Sequence, residues 1–145
     1  MPDKIIRIEW SSPLPFDKAV LSNLSNTQGL YYITRLFGNK ETSLYLGIAT
    51  KNNTIRNRLR GHKKNWLFLY RGQKFVRIGK IVYPKYYDAA LIDHAESALL
   101  FAEEHKHLFV ENVSKRNSYS YYELYRIENT GDFFELNPSI RMHEQ

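Results

Sequence analysis

GLYYITRLFGNKETSLYLGIATKNNTIRNRLRGH, residues 29–62, sets the expectation for everything around it. It holds two aromatic-glycine runs, Gly29-Leu30-Tyr31 and Tyr45-Leu46-Gly47. Leu30 to Phe37 is rich in tyrosine and isoleucine and reads as a strand. Ser43 to Ile48 reads as a second strand. The Gly38-Asn39-Lys40 turn between them makes the pair an antiparallel hairpin. Thr54 is placed to cap a helix through Ile55, Leu59 and His62 towards Trp66. On that helix Arg58 and His62 are four residues apart and share a face.

In front of this stretch, Ile5, Ile6 and Ile8 lead to Trp10 as a short strand. Pro13 and Pro15 break the chain, and Phe16 to Leu24 has helical spacing. Behind it, Phe75 to Tyr83 reads as a third strand, stopped by Pro84. Asp88 is placed to cap a helix from Ala89 to about His105, with a broad apolar face and Glu96 beside it. Tyr119 to Leu136 reads as two more strands around a turn at Asn129-Thr130-Gly131. The expectation is an α+β fold: a small antiparallel three-stranded sheet flanked by helices, with additions at both ends. The whole of 1–145 is read as a single domain. Its core covers about 29–113, with an N-terminal extension over 1–28 and a strand-rich tail over 119–145.

Composition narrows the function classes. With 43% hydrophobic and 25% charged residues, the chain can build a core and is not of the disordered class. It has no cysteine, which excludes disulfides, thiol catalysis and cysteine-rich zinc sites. There is no long apolar run at the start, and a cytoplasmic location is expected. Lysine and arginine number 21 against 15 acidic residues, a formal charge of +6, which suits a polyanionic partner.

The two aromatic-glycine runs on paired strands, followed by Arg58 and His62 and then Glu96, resemble the GIY-YIG nuclease family. Leucine replaces isoleucine in both runs, an apolar exchange. The resemblance extends from Gly29 to Val113 and includes Glu111-Asn112-Val113, similar to an Asn-Val element of that family. It implies an endonuclease hydrolysing phosphodiester bonds in DNA, with RNA as the other substrate to consider. Tyr31 would work near the attacking water, with Tyr45 beside it. Arg58 would fork onto phosphate oxygens. His62 would relay a proton or bind the phosphate. Glu96 would hold one divalent ion, Mg²⁺ or Mn²⁺. Asn112 would position Glu96 or the phosphate, and Gly29 and Gly47 would allow close backbone approach. Arg56 is the other arginine near that position, but the one four residues before the histidine follows the family pattern. The chain leaves room only for short additions, so the expectation is action alone with little sequence specificity, or a target chosen through a homodimer or a separate targeting partner.

Each residue alone has a plainer account. Tyr31 and Tyr45 suit strand packing, Arg58 and His62 a solvated helix face, and Glu96 the polar edge of an amphipathic helix. A module of the same fold that binds nucleic acid without cutting is therefore the alternative. Lys63, Lys64 and Arg56, with Lys115 and Arg116 after Asn112, are candidate phosphate contacts. Arg71 lies near them among Trp66, Phe68 and Tyr70, aromatics that either stack on bases or pack inward. His105 and His107 with Glu103 and Glu104 lack the spacing of a zinc motif, and a histidine-bearing helix end is the simpler account.

Overall fold

The computed structural model describes residues 4–109, 112 and 125–141. Seven strands and three helices follow in the order β1 (Lys4–Trp10), β2 (Leu14–Pro15), α1 (Phe16–Leu21), β3 (Gly29–Phe37), β4 (Lys40–Ala49), α2 (Ile55–Asn65), β5 (Gln73–Tyr83), α3 (Ala89–Phe101), β6 (Tyr125–Gly131) and β7 (Ser139–Arg141). One sheet takes all seven strands in the order β4-β3-β5-β1-β6-β7, with β2 also pairing β5. The pairs are antiparallel except β1 with β6, which is parallel. The sheet is therefore mixed, and it curls into a half-barrel.

This corrects the expected small three-stranded antiparallel sheet. β5 is not the end of the sheet, because β1 bonds along its far side and β6 along the far side of β1. The reason lies in Trp10. In register it faces Gly79 of β5 on one side and Gly131 of β6 on the other. A Cβ on Gly79 would come within 2.7 Å of the Trp10 ring. One on Gly131 would come within 2.3 Å of the Trp10 carbonyl oxygen. Gly79 thus makes room for the indole, and Gly131, on the other side of β1, for the backbone of the same residue. The indole N–H donates to Asn129 Oδ1 at 2.9 Å, and Asn129 donates in turn to the Asn137 carbonyl at 2.8 Å. Asn129-Thr130-Gly131 therefore belongs to a strand and not to the turn expected there. The connection to β7 runs through 132–138.

The sheet is covered on both faces, which is why Leu30, Tyr31, Tyr32 and Ile33 are all buried in succession. On one face Ile6, Ile8, Trp10 and Tyr32 pack with Ile92, Ala95 and Leu99 of α3. On the other, Tyr31, Ile33 and Val76 pack with Phe16 and Ala19 of α1 and Ile55 and Leu59 of α2. Local signals shape the helices. Thr54 Oγ1 accepts from the Asn57 N–H at 3.2 Å and caps α2, and Asp88 Oδ1 accepts from the Leu91 N–H at 3.1 Å and caps α3. The α3 face of the sheet also holds Arg77, which is only 3% exposed. Its guanidinium bonds Glu41 at 2.7 Å and Asp132 at 3.0 Å and lies 4.7 Å from the centre of the Phe134 ring. It ties the segment after β6 to the sheet.

α3 ends at Phe101, earlier than the periodicity implies, and a short 3-10 turn carries His105 inward. His105 is fully buried and ends that turn, so it is a helix-end histidine turned into the core. The Asn137 N–H donates to Nε2 at 2.8 Å, so Nδ1 carries the proton and bonds the Leu99 carbonyl at 2.7 Å. Burial pushes its pKa below the ordinary value, against smaller upward pulls from the Leu99 bond and Glu104, while His107 adds to the lowering. The unfolded chain takes this proton first, so the stability that the neutral clamp contributes is complete above about pH 6.5 and is lost as pH falls below it. His62 has the same sign, pushed down to about 4. The melting temperature is expected to fall between about pH 7 and pH 5. His105→Gln, which cannot titrate, should flatten part of that fall, and an unchanged slope in the variant would count against the clamp.

Candidate active site

Tyr31 on β3 pairs directly with Gly47 on β4, and Ile33 with Tyr45, so these residues lie on the face towards α1 and α2. A Cβ on Gly47 would stand 2.5 Å from Cζ and Oη of Tyr31 and 2.6 Å from Cε1 of Tyr45. The hydroxyl end of Tyr31 fills the space that a side chain at 47 would take. Gly29 has a different role. Its φ of +146° favours glycine, and a Cβ there would stand 3.1 Å from the Gly79 carbonyl oxygen.

α2 brings His62 onto this aromatic floor. Tyr31 Oη lies 2.7 Å from His62 Nε2, and the Trp66 indole N–H donates to His62 Nδ1 at 2.9 Å. An indole nitrogen only donates, so Nδ1 is the unprotonated nitrogen. Neutral His62 therefore carries its proton on Nε2 and gives it to the Tyr31 oxygen. Tyr45 completes the group, its ring stacked at 26° on Tyr31 with centroids 6.0 Å apart and its centroid 4.6 Å from that of His62. The sequence reading gave Trp66 no role at this site. The signal was present, since 58, 62 and 66 repeat at the four-residue spacing of one helix face.

Charge is distributed simply. Burial, then Tyr45, raises the Tyr31 pKa well above the ordinary phenol value, Arg58 pulls it down, and Glu96 adds a smaller upward push. Tyr45 is raised by burial, lowered by Arg58 and raised by Glu96. Burial works against the Arg58 charge, yet the two phenols outweigh it and hold the guanidinium above its ordinary value. His62 is neutral because burial and the Arg58 charge both disfavour imidazolium. Its proton on Nε2 and the Arg58 charge are thus both available to a negative oxygen placed at Tyr31.

Glu96 comes from α3, on the other face of the sheet, and is only 6% exposed. Its charge is felt at both phenols, which puts it within electrostatic reach of the group. Among the described residues no three His, Asp or Glu gather as a metal cage. A single buried carboxylate instead suits Mg²⁺, which keeps several waters and is commonly held by one or two carboxylates and the substrate's phosphate.

Other sequence candidates lie elsewhere. Asn112 engages the backbone of β4 through its amide. Its Oδ1 accepts from the Leu46 N–H at 2.9 Å and its Nδ2 donates to the Leu46 carbonyl at 2.7 Å. β4 is an edge strand, and this amide occupies its outward backbone groups as a neighbouring strand would. Arg56 turns to the end of α1, donating to the carbonyls of Val20 at 2.6 Å and Ser22 at 3.0 Å. That leaves Arg58 as the arginine beside the phenols. Lys63 pairs with Asp17 at 3.0 Å on the surface, and Lys64 is exposed. Of the aromatics after α2, Trp66 and Tyr70 pack against each other and Phe68 stands out at 63% exposure. Lys115 and Arg116 fall outside the described residues. No family model matches the chain, and no curated protein or solved structure matches it.

Proposed function

We propose that the protein is a metal-dependent endonuclease that hydrolyses phosphodiester bonds in DNA with the chemistry of the GIY-YIG nucleases. The observation that carries this reading is the 2.7 Å bond between Tyr31 and His62, made beside Tyr45 and within reach of Arg58 and Glu96. Hydrolysis needs a nucleophilic water, donors for charge on the phosphate oxygens and help for the leaving oxygen. Tyr31 is bonded to His62, Arg58 and Tyr45, and its O–H would serve a water or a phosphate oxygen that enters this group. If it passes that proton on, His62 and Arg58 face the phenolate that results. Arg58 reaches non-bridging oxygens. Glu96 would hold the divalent ion, whose charge would offset the charge that builds on the leaving oxygen. The lack of cysteine fits a reducing compartment, and the cytoplasm is the proposed location. Among the described residues no helix is long and apolar enough to cross a membrane.

A second reading, a module that binds nucleic acid without cutting it, is favoured by one observation: burial keeps Tyr31 protonated and leaves His62 without a free nitrogen towards it. A supercoiled-plasmid assay separates the two. Nicking with Mg²⁺ or Mn²⁺ is expected. Glu96→Gln should raise the Mg²⁺ needed for half-maximal nicking by at least about tenfold. Salt-sensitive binding with no cutting under any metal would overturn the nuclease reading.

A further inference from the structure

Beside Lys63 of α2, an open depression of about 590 Å³ has Pro15, Phe16, Leu67 and Phe68 among its lining. Lys18, Lys63 and Lys74 also line it, with Asp17 as its carboxylate. A second depression of about 300 Å³ shares Phe16, Asp17 and Lys63 and adds Arg60. The two form one shallow groove with apolar walls and four cations around a single acid. That acid is weakly committed, because its pair with Lys63 is solvent-exposed at both ends and such pairs are worth little. Phe16 and Leu67 are buried in the wall, whereas the Phe68 ring is mostly free.

We propose that this groove takes an unpaired base of the nucleic-acid strand whose phosphate lies at Tyr31, an assignment that rests on the nuclease reading above. Three features favour a base. The volume accepts a flat heterocycle. Phe68 offers a stacking surface, and the ammonium groups meet the flanking phosphates. Location is the fourth argument. Lys63 follows His62 directly, and at 100° per residue the two point to either side of the buried stripe of Ile55 and Leu59. The stripe between them is packed on the sheet, so a strand that reaches both passes over the exposed face of α2, about half the circumference of a helix 10–12 Å across. A duplex keeps its bases paired and cannot fill the groove, so the substrate expected at this site has a single-stranded or gapped segment.

The test is fluorescence anisotropy in EDTA, which removes cleavage from the measurement. Labelled single-stranded, gapped and fully paired oligonucleotides of one sequence are titrated with wild type, Phe68→Ala and Phe68→Tyr. Wild type should bind the single-stranded and gapped forms more tightly. Phe68→Ala should lose at least about fivefold on those and little on the duplex, and Phe68→Tyr should restore binding. Equal loss on all three, or no loss on any, overturns the base site. Competition by an acidic peptide that depends on Phe68 more strongly than the oligonucleotides do would assign the groove to a protein partner and overturn it too. A protein that nicks plasmid but shows no Phe68 effect would leave the nuclease reading standing and remove only this proposal.

Discussion

Gly47→Ala should cost about 3 kcal/mol of stability, near the upper end for overpacking a close-packed interior. The added methyl would sit 2.5 Å from the ring carbon and hydroxyl oxygen of Tyr31, and the neighbouring Tyr45 ring at 2.6 Å closes the other way out. The Tyr31 ring cannot swing clear, because it is fully buried and its hydroxyl is bonded to His62. In a chain of this size the change corresponds to a melting temperature about 6–12 °C lower. Gly61→Ala is the matched control. A Cβ there meets nothing within 4 Å and the position is helical, so that variant should be about 0.5–1 kcal/mol more stable. The clash is also testable by relief: in a Tyr31→Ala background the extra methyl at 47 should cost much less. If Gly47→Ala melts with wild type, the Tyr31 ring does not lie across β4.

Tyr31→Phe is expected to lower the nicking rate by about 10²–10⁴, the range for losing a positioned proton-transfer group. The ring remains, so packing changes little, and His62 keeps Trp66. Trp66→Phe separates geometry from chemistry. It retains an aromatic ring but removes the donor to Nδ1, so the protonated form of His62 no longer sets two N–H groups against each other. Burial and Arg58 still hold the His62 pKa down from the ordinary value, but it should rise from about 4. Nitrogen chemical shifts of the imidazole should change from the Nε2–H form towards a mixture of tautomers. A purely structural role for Trp66 would lower stability and leave the His62 titration where it was. An unaltered nicking rate in Tyr31→Phe would remove the phenol from the reaction.

How much of this was legible follows from distance along the chain. Thr54 and Asp88 were readable as caps because a cap is settled within four residues. The β3–β4 hairpin was readable from its turn and composition. The place of β1 was not, since its partners lie some 70 and 120 residues away and its register depends on Gly79 and Gly131 making room for one tryptophan. Neither glycine has a local signature of that role. Asn129 looked like a turn former because its use as the indole's acceptor is a tertiary fact. The candidate site shows the same division. Spacing joined only Arg58 and His62 on one helix face, and the resemblance to the GIY-YIG nucleases added Tyr31 and Tyr45 to them. Arg56 and Asn112 have suitable side chains, but backbone carbonyls of α1 and the backbone of Leu46 engage them.

The parallel pairing of β1 with β6 also governs when the molecule can exist. Arg7 and Glu128, ion-paired across these strands, are separated by 121 positions. At roughly 5–20 residues per second of translation, β1 emerges from the ribosome on the order of ten seconds before its last neighbour is made. Through that interval it offers an unpaired edge, with Ile6, Ile8 and Trp10 alternating along it. Such long-range closure also makes folding slow relative to helical proteins of similar size. The sheet beneath Tyr31 and His62 is completed only by this final addition. Every residue proposed for the site thus precedes β6 in the chain, so these side chains are made before the sheet that carries them is complete.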